Sequence, residues 1–213
     1  MIEERLRVSL DQPEREALAR ASRVLDGGGA VLYPSDTVYG LLCDATAPEA
    51  VAGMARLKGY PRPRPFIVLV DGMETARRLA RFSRGALRLA AAFWPGPLTL
   101  VLPAGEKTLP HVLSKSGEIA LRRPADPLSR GLLSGLGRPL ASTSANPAGA
   151  AHPLSVTEVD DCITAGCALV LDGGELPPRP PSTVARVSDG EMELLREGAV
   201  PLGRLRGTAF GKV

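Results

Sequence analysis

Ala30-Val31-Leu32-Tyr33-Pro34-Ser35-Asp36-Thr37-Val38-Tyr39-Gly40-Leu41-Leu42-Cys43-Asp44-Ala45 is apolar and β-prone at both ends and polar in the middle. A short buried strand over 30–33 runs into Pro34, which has no N–H to give a ladder. A second buried strand over 39–45 follows. The insert between them alternates hydroxyls with a carboxylate, and it falls at a strand end, where open α/β sheets place their ligands.

Working outward, Leu18, Ala21, Val24 and Leu25 follow the start signal Asp11-Gln12-Pro13-Glu14 at helical spacing, and Gly27-Gly28-Gly29 stops them. Downstream, Pro48 to Leu57 predicts a helix ending at Gly59, and Phe66 to Val70 a strand. Helical patterns over 73–80 and 83–93 meet the stop Trp94-Pro95-Gly96-Pro97, which we assign chiefly to packing. The strand Leu98 to Leu102 comes next. Glu118 to Leu121 and Pro139 to Ser142 read as strands around a helix near Asp126 to Leu136. Ser155-Val156-Thr157-Glu158 has capping-box spacing and should open another helix. Ala168 to Leu171, Thr183 to Val187 and Met192 to Leu195 complete the strands, the last two as a hairpin. This alternation makes an α/β domain whose strand-rich ending favours a mixed sheet over a purely parallel one. Gly173 to Pro181 is a proline-stiffened loop, a lid or plain surface, and the tail after Leu202 is expected to be loosely held.

A chain of 213 residues suits one domain. Its net charge of +3 fits an anionic ligand but is too small to signal nucleic-acid binding alone. Aromatic content of 4% removes a stacking platform for single strands. The three cysteines, Cys43, Cys162 and Cys167, lack zinc spacing and read as reduced, mostly buried core residues. With no apolar leader and no run near the ~20 residues of a membrane span, the expected location is the cytosol, away from membranes.

No Walker loop, dinucleotide fingerprint or nucleophile elbow occurs, and His111 and His152 have no spacing for a metal triad. Polar loops at strand ends stand out instead. Besides residues 34–40 they are Lys58-Gly59-Tyr60-Pro61-Arg62-Pro63-Arg64-Pro65, with cations in a turn that proline pre-orders for phosphates, the segment 119–124, and Ser142-Thr143-Ser144-Ala145-Asn146. Each alone is an ordinary turn or cap. Their joint occurrence in this order is not ordinary.

Together with Phe93 to Leu100, Ser182-Thr183-Val184 and Leu195-Arg196-Glu197-Gly198, these stretches resemble the threonylcarbamoyl-AMP synthases built on the YrdC-type domain. The resemblance implies a twisted mixed β-sheet flanked by helices around a large basic concave cleft. It makes residues 1–203 the catalytic domain and 204–213 a flexible tail. It implies condensation of ATP, L-threonine and bicarbonate or CO2, with Mg2+ carried by ATP. A downstream threonylcarbamoyl-transfer machinery then modifies an adenosine of tRNA, and RNA contact is weak. Carried over by position, Ser35, Ile67, Arg122, Ser142 and Ser182 would surround L-threonine, with Arg122 on its carboxylate. Lys58, Arg62, Glu118, Ser144, Asn146, His152 and Arg196 would line the ATP path. Lys58 and Arg62 would be catalytic, and Lys58 is expected to face the cleft rather than the core. Tyr60 stands where the family carries an arginine. Two other readings therefore stay open, an RNA- or nucleotide-binding module and a carbamoyl-adenylate transferase for another substrate.

Overall fold

The computed structural model describes residues 4–60, 65–147, 149–188 and 190–210. Its strands are β1 (Arg5–Arg7), β2 (Val31–Pro34), β3 (Tyr39–Asp44), β4 (Ile67–Leu69), β5 (Leu98–Pro103), β6 (Glu118–Arg122), β7 (Leu140–Ser144), β8 (Leu169–Asp172), β9 (Thr183–Val187) and β10 (Met192–Arg196). They form one mixed sheet in the order β1-β8-β2-β3-β7-β4-β6-β5-β9-β10. The pairs β1·β8, β2·β8, β4·β6 and β5·β9 are parallel and the other neighbours antiparallel.

The helices are α1 (Arg15–Asp26), α2 (Pro48–Leu57), α3 (Met73–Leu79), α4 (Arg84–Phe93), α5 (Pro127–Leu136), α6 (Asp161–Ala165) and α7 (Leu202–Phe210). Local chemistry sets several ends. The Ser83 hydroxyl accepts the Ala86 N–H to cap α4, Asp126 accepts from Ser129 N to cap α5, and left-handed Gly137 ends α5 at φ 63°.

Alternate residues of each strand serve opposite faces. Val31, Tyr33, Leu42, Leu69 and Leu140 join a core with Ala21 and Leu25 of α1 and Leu128 and Leu132 of α5. Leu32, Leu41, Val68, Leu100 and Leu121 join a larger core with Met54 of α2, Leu79 of α3, Leu89 of α4, Ile163 of α6 and Leu205 of α7.

Two expectations are corrected. Residues 202–210 are not a loose tail: α7 lies against α4 and buries Leu205 and Ala209, because apolar residues at i and i+4 share a helix face. Residues 211–213 lie outside the described residues. The 155–158 segment makes only a short 3-10 turn over Val156–Glu158. Glu158 accepts from Leu154 N, and α6 is capped instead by Asp160, whose side chain accepts the Cys162 N–H. Cys162 is exposed, whereas Cys43 and Cys167 are buried; all are free thiols. The three-residue edge strand β1, too short to leave a periodic signature, went unread. No helix among the described residues is long and apolar enough to cross a membrane.

Candidate functional site

Leu42 pairs with Ser142, Ser142 with Ile67, Ile67 with Ala120, and Ala120 with Val101. This cross-strand row lies on the face shared with α1 and α5, with Gly40 opposite Ser144 and Leu69 opposite Arg122 on the same face. Beyond the helices this face opens into a cavity of about 400 Å³. Ser35, Ile67, Arg122, Ser142, Ser144, His152, Ser182 and Arg196 all line it. Residues from the first third of the chain and from its last strand thus share one wall system.

The hydroxyls and guanidinium groups are held by a tight network. Ser142 Oγ is 3.3 Å from Tyr33 OH, and Ser182 Oγ is 3.1 Å from Thr99 Oγ1. Arg196 donates through Nε and Nη2 to the Ser182 carbonyl and through Nη2 to its hydroxyl, at 2.8 to 3.0 Å. A Cβ on Gly198 would stand 2.3 Å from Pro181 O, so only glycine lets this return strand close over Ser182. Arg122 Nε donates to Gly96 O at 3.1 Å, and Nη2 is ion-paired with Asp36. The Trp94–Gly96 turn, assigned above to packing, therefore also fixes a cavity cation. Burial first, and then the Arg122 charge, depress the pKa of Arg196. Two close guanidinium groups in one cavity make it receptive to an anion.

Some expected contacts are arranged differently. Ser35 lines the cavity, but its hydroxyl donates to Val38 O at 2.6 Å and accepts from Thr37 and Val38 N–H, closing its own turn. Lys58 does not face the cleft. It is 4% exposed, and its ammonium donates to the Ser144 and Asn146 carbonyls and the Asn146 side chain. Asn146 is itself buried, taking the Ser144 O–H and donating to Ala150 O. Burial pushes the Lys58 pKa down to about 8, which leaves it mostly protonated at neutral pH. Glu118 shares the sheet face but lies outside the cavity lining, its carboxylate held by Arg186 and Ser116. His152 is half-buried with Nδ1 unpartnered; burial, then Arg196 and Lys58, hold its pKa below the usual range. Arg62 lies outside the described residues.

Sequence reasoning missed Asp36 as a site residue, although it sits inside the loop that opened the argument. It missed the wall of Tyr60 and Phe66 too, whose rings stack with centroids 6.1 Å apart. A carboxylate beside hydroxyls has no local partner to reveal its role, and the fold supplies that partner 86 residues away.

Behind the Asp36 loop, Asp126 is buried with one carboxylate oxygen unpartnered. Burial first, and then Asp36, push its pKa up to about 6. Below about pH 4 both folded and unfolded states hold this proton; between about pH 4 and 6 the unfolded chain loses it first. Stability therefore falls as pH rises through that window and stays lower above it. Asp126→Asn keeps an acceptor for Ser129 N–H and is expected to flatten this slope, stabilising the protein above pH 6 by about 2 to 3 kcal/mol. Urea unfolding at several pH values checks this; parallel profiles for the two proteins would refute it.

Comparison with known proteins places the fold. A family model named for Sua5, YciO and YrdC, described as "Telomere recombination", matches residues 23–198. A Pyrococcus abyssi protein named threonylcarbamoyl-AMP synthase is 36% identical over 177 residues, which are 82% of this chain and 52% of that protein. The chain thus spans about half the length of that curated relative. The crystal structure of P. abyssi Sua5 complexed with L-threonine superposes with a TM-score of 0.88 at 31% identity, covering 98% of this chain and 61% of that one. Escherichia coli YciO superposes at 0.84 and 26% identity, covering 93% and 97%.

Proposed function

This chain belongs to the Sua5/YciO/YrdC family, and from that premise we propose that it is a threonylcarbamoyl-AMP synthase. It condenses L-threonine, bicarbonate or CO2 and ATP into L-threonylcarbamoyladenylate and pyrophosphate, in the cytosol. The product is handed to a transfer machinery that modifies tRNA. One observation carries the reading: Arg122, Arg196 and the hydroxyls of Ser142, Ser144 and Ser182, far apart in sequence, meet in one cavity. The relative solved with L-threonine shares this fold over 98% of the chain.

The chemistry asks for what the cavity holds. N-carboxylated threonine must bring an anionic oxygen to the α-phosphate, so fixed cations lower the repulsion and stabilise charge on the departing pyrophosphate. Arg122 suits the amino-acid carboxylate, because a guanidinium fork matches a carboxylate's two oxygens. Arg196, beside Ser182, is placed to meet phosphate or carbamate oxygen. Lys58 acts by holding the Ser144–Asn146 loop, and neutral His152 offers a hydrogen bond rather than a charge. No covalent intermediate on the protein is needed; aligning two bound substrates and excluding water supplies the acceleration. Mg2+ is assigned to the phosphates of ATP and to water rather than to a protein cage.

The test is pyrophosphate release from ATP with each substrate left out in turn. Release that requires both L-threonine and bicarbonate is expected. Release independent of either, from folded protein, overturns the proposal, and release supported better by another amino acid marks a related transferase.

A further inference from the structure

We infer that Asp36 is a positioning residue that aims the Arg122 guanidinium at the carboxylate of the substrate, and so sets the preference of the cavity for a free amino acid. The inference rests on the reading of the cavity as a threonine site. Its footing is the geometry of two tethers. Asp36 Oδ1 pairs with Arg122 Nη2 between side chains that are 13% and 8% exposed, while Asp36 Oδ2 takes the Ala125 N–H at 3.2 Å. The second tether is Arg122 Nε on Gly96 O. The loop after β2 and the turn before β5 thus fix one guanidinium from different directions, and the segment after β6 holds Asp36 in place. Its remaining donors belong to a side chain that lines the cavity.

An arginine left mobile would give up rotamer freedom on each binding event, which weakens its grip. A tethered one has already lost it. A buried ion pair is also a poor device for stability, since desolving two charges consumes most of their attraction. Orientation is the return that the arrangement offers. Arg196 contrasts with it: its head is turned onto the Ser182 carbonyl and hydroxyl, with no carboxylate partner among its described bonds. Asp36 further offsets the charge of Arg122 next to Arg196, so both guanidinium groups fit in one cavity.

The experiment compares binding of L-threonine and L-threoninamide, which lacks the anionic carboxylate, to the full chain. Wild type is expected to prefer threonine by about 30-fold or more, and Asp36→Asn by less than about 3-fold, with ATP affinity little changed and a lowered melting temperature, since one side of a buried pair is lost. A merely structural role would weaken both ligands alike. Asp36→Glu, which keeps the charge on a longer arm, is expected to recover part of the preference, and it stands in if the asparagine variant does not fold. Full wild-type preference in a folded Asp36→Asn, or in its absence no change in Asp36→Glu, overturns the inference. A wild type that itself fails to prefer threonine sinks the threonine-site reading instead, so the two failures are distinguishable.

Discussion

Lys58→Ala is expected to lose both turnover and stability, and the second loss is the one that sequence reasoning did not foresee. The ammonium is 4% exposed and donates to three acceptors in Ser144–Asn146. Truncation leaves two backbone carbonyls without their donor in a place water reaches poorly. Hydrogen bonds to a charged group contribute about 1.5 to 3 kcal/mol and an orphaned buried acceptor costs a similar amount, so a loss of about 2 to 4 kcal/mol follows. The loop then relaxes, Ser144 leaves the cavity wall, and turnover falls by about 100-fold or more, the scale of losing one placed electrostatic group. Urea unfolding and pyrophosphate release measure the two losses separately. An unfolding curve identical to wild type with turnover abolished would mean that Lys58 points into the cleft after all.

Arg122→Ala should give the largest effect on the amino acid. It removes the fork proposed for the carboxylate and strands Asp36, a half-satisfied acid beside buried Asp126, whose own pKa is already raised. Breaking one side of a buried, hydrogen-bonded charge pair costs about 2 to 5 kcal/mol, so the affinity for L-threonine is expected to drop by about 100- to 1,000-fold. Arg122→Lys should rescue little, because a point charge on a flexible stem cannot reproduce bonds to Gly96 O, Asp36 and a ligand together. Calorimetric titration of folded variants decides; threonine affinity within a few fold of wild type in Arg122→Ala would remove this residue from the site.

Strand and helix identities were legible because they are local. Pro48 to Leu57 and Thr183 to Val187 match their elements end to end, since a prolyl start, a glycine stop and β-branched alternation act over a few residues. The candidate loops were legible too, because hydroxyls, cations and prolines at strand ends violate core composition and so stand out. What the sequence by itself determined is therefore which segments are strands or helices and which loops are polar. Their register it left open. Leu42, Ser142, Ile67 and Ala120 form one row only because β3, β7, β4 and β6 pair at particular offsets, and a slip of one residue would turn every one of those side chains to the opposite face. The tertiary structure alone decided that Lys58 braces a loop instead of facing the cleft, that Glu118 belongs to Arg186, and that Asp36 belongs to Arg122. Each is a contact between segments distant in the chain, set by burial and by the need to pair a desolvated charge, and neither is written in any single stretch of residues.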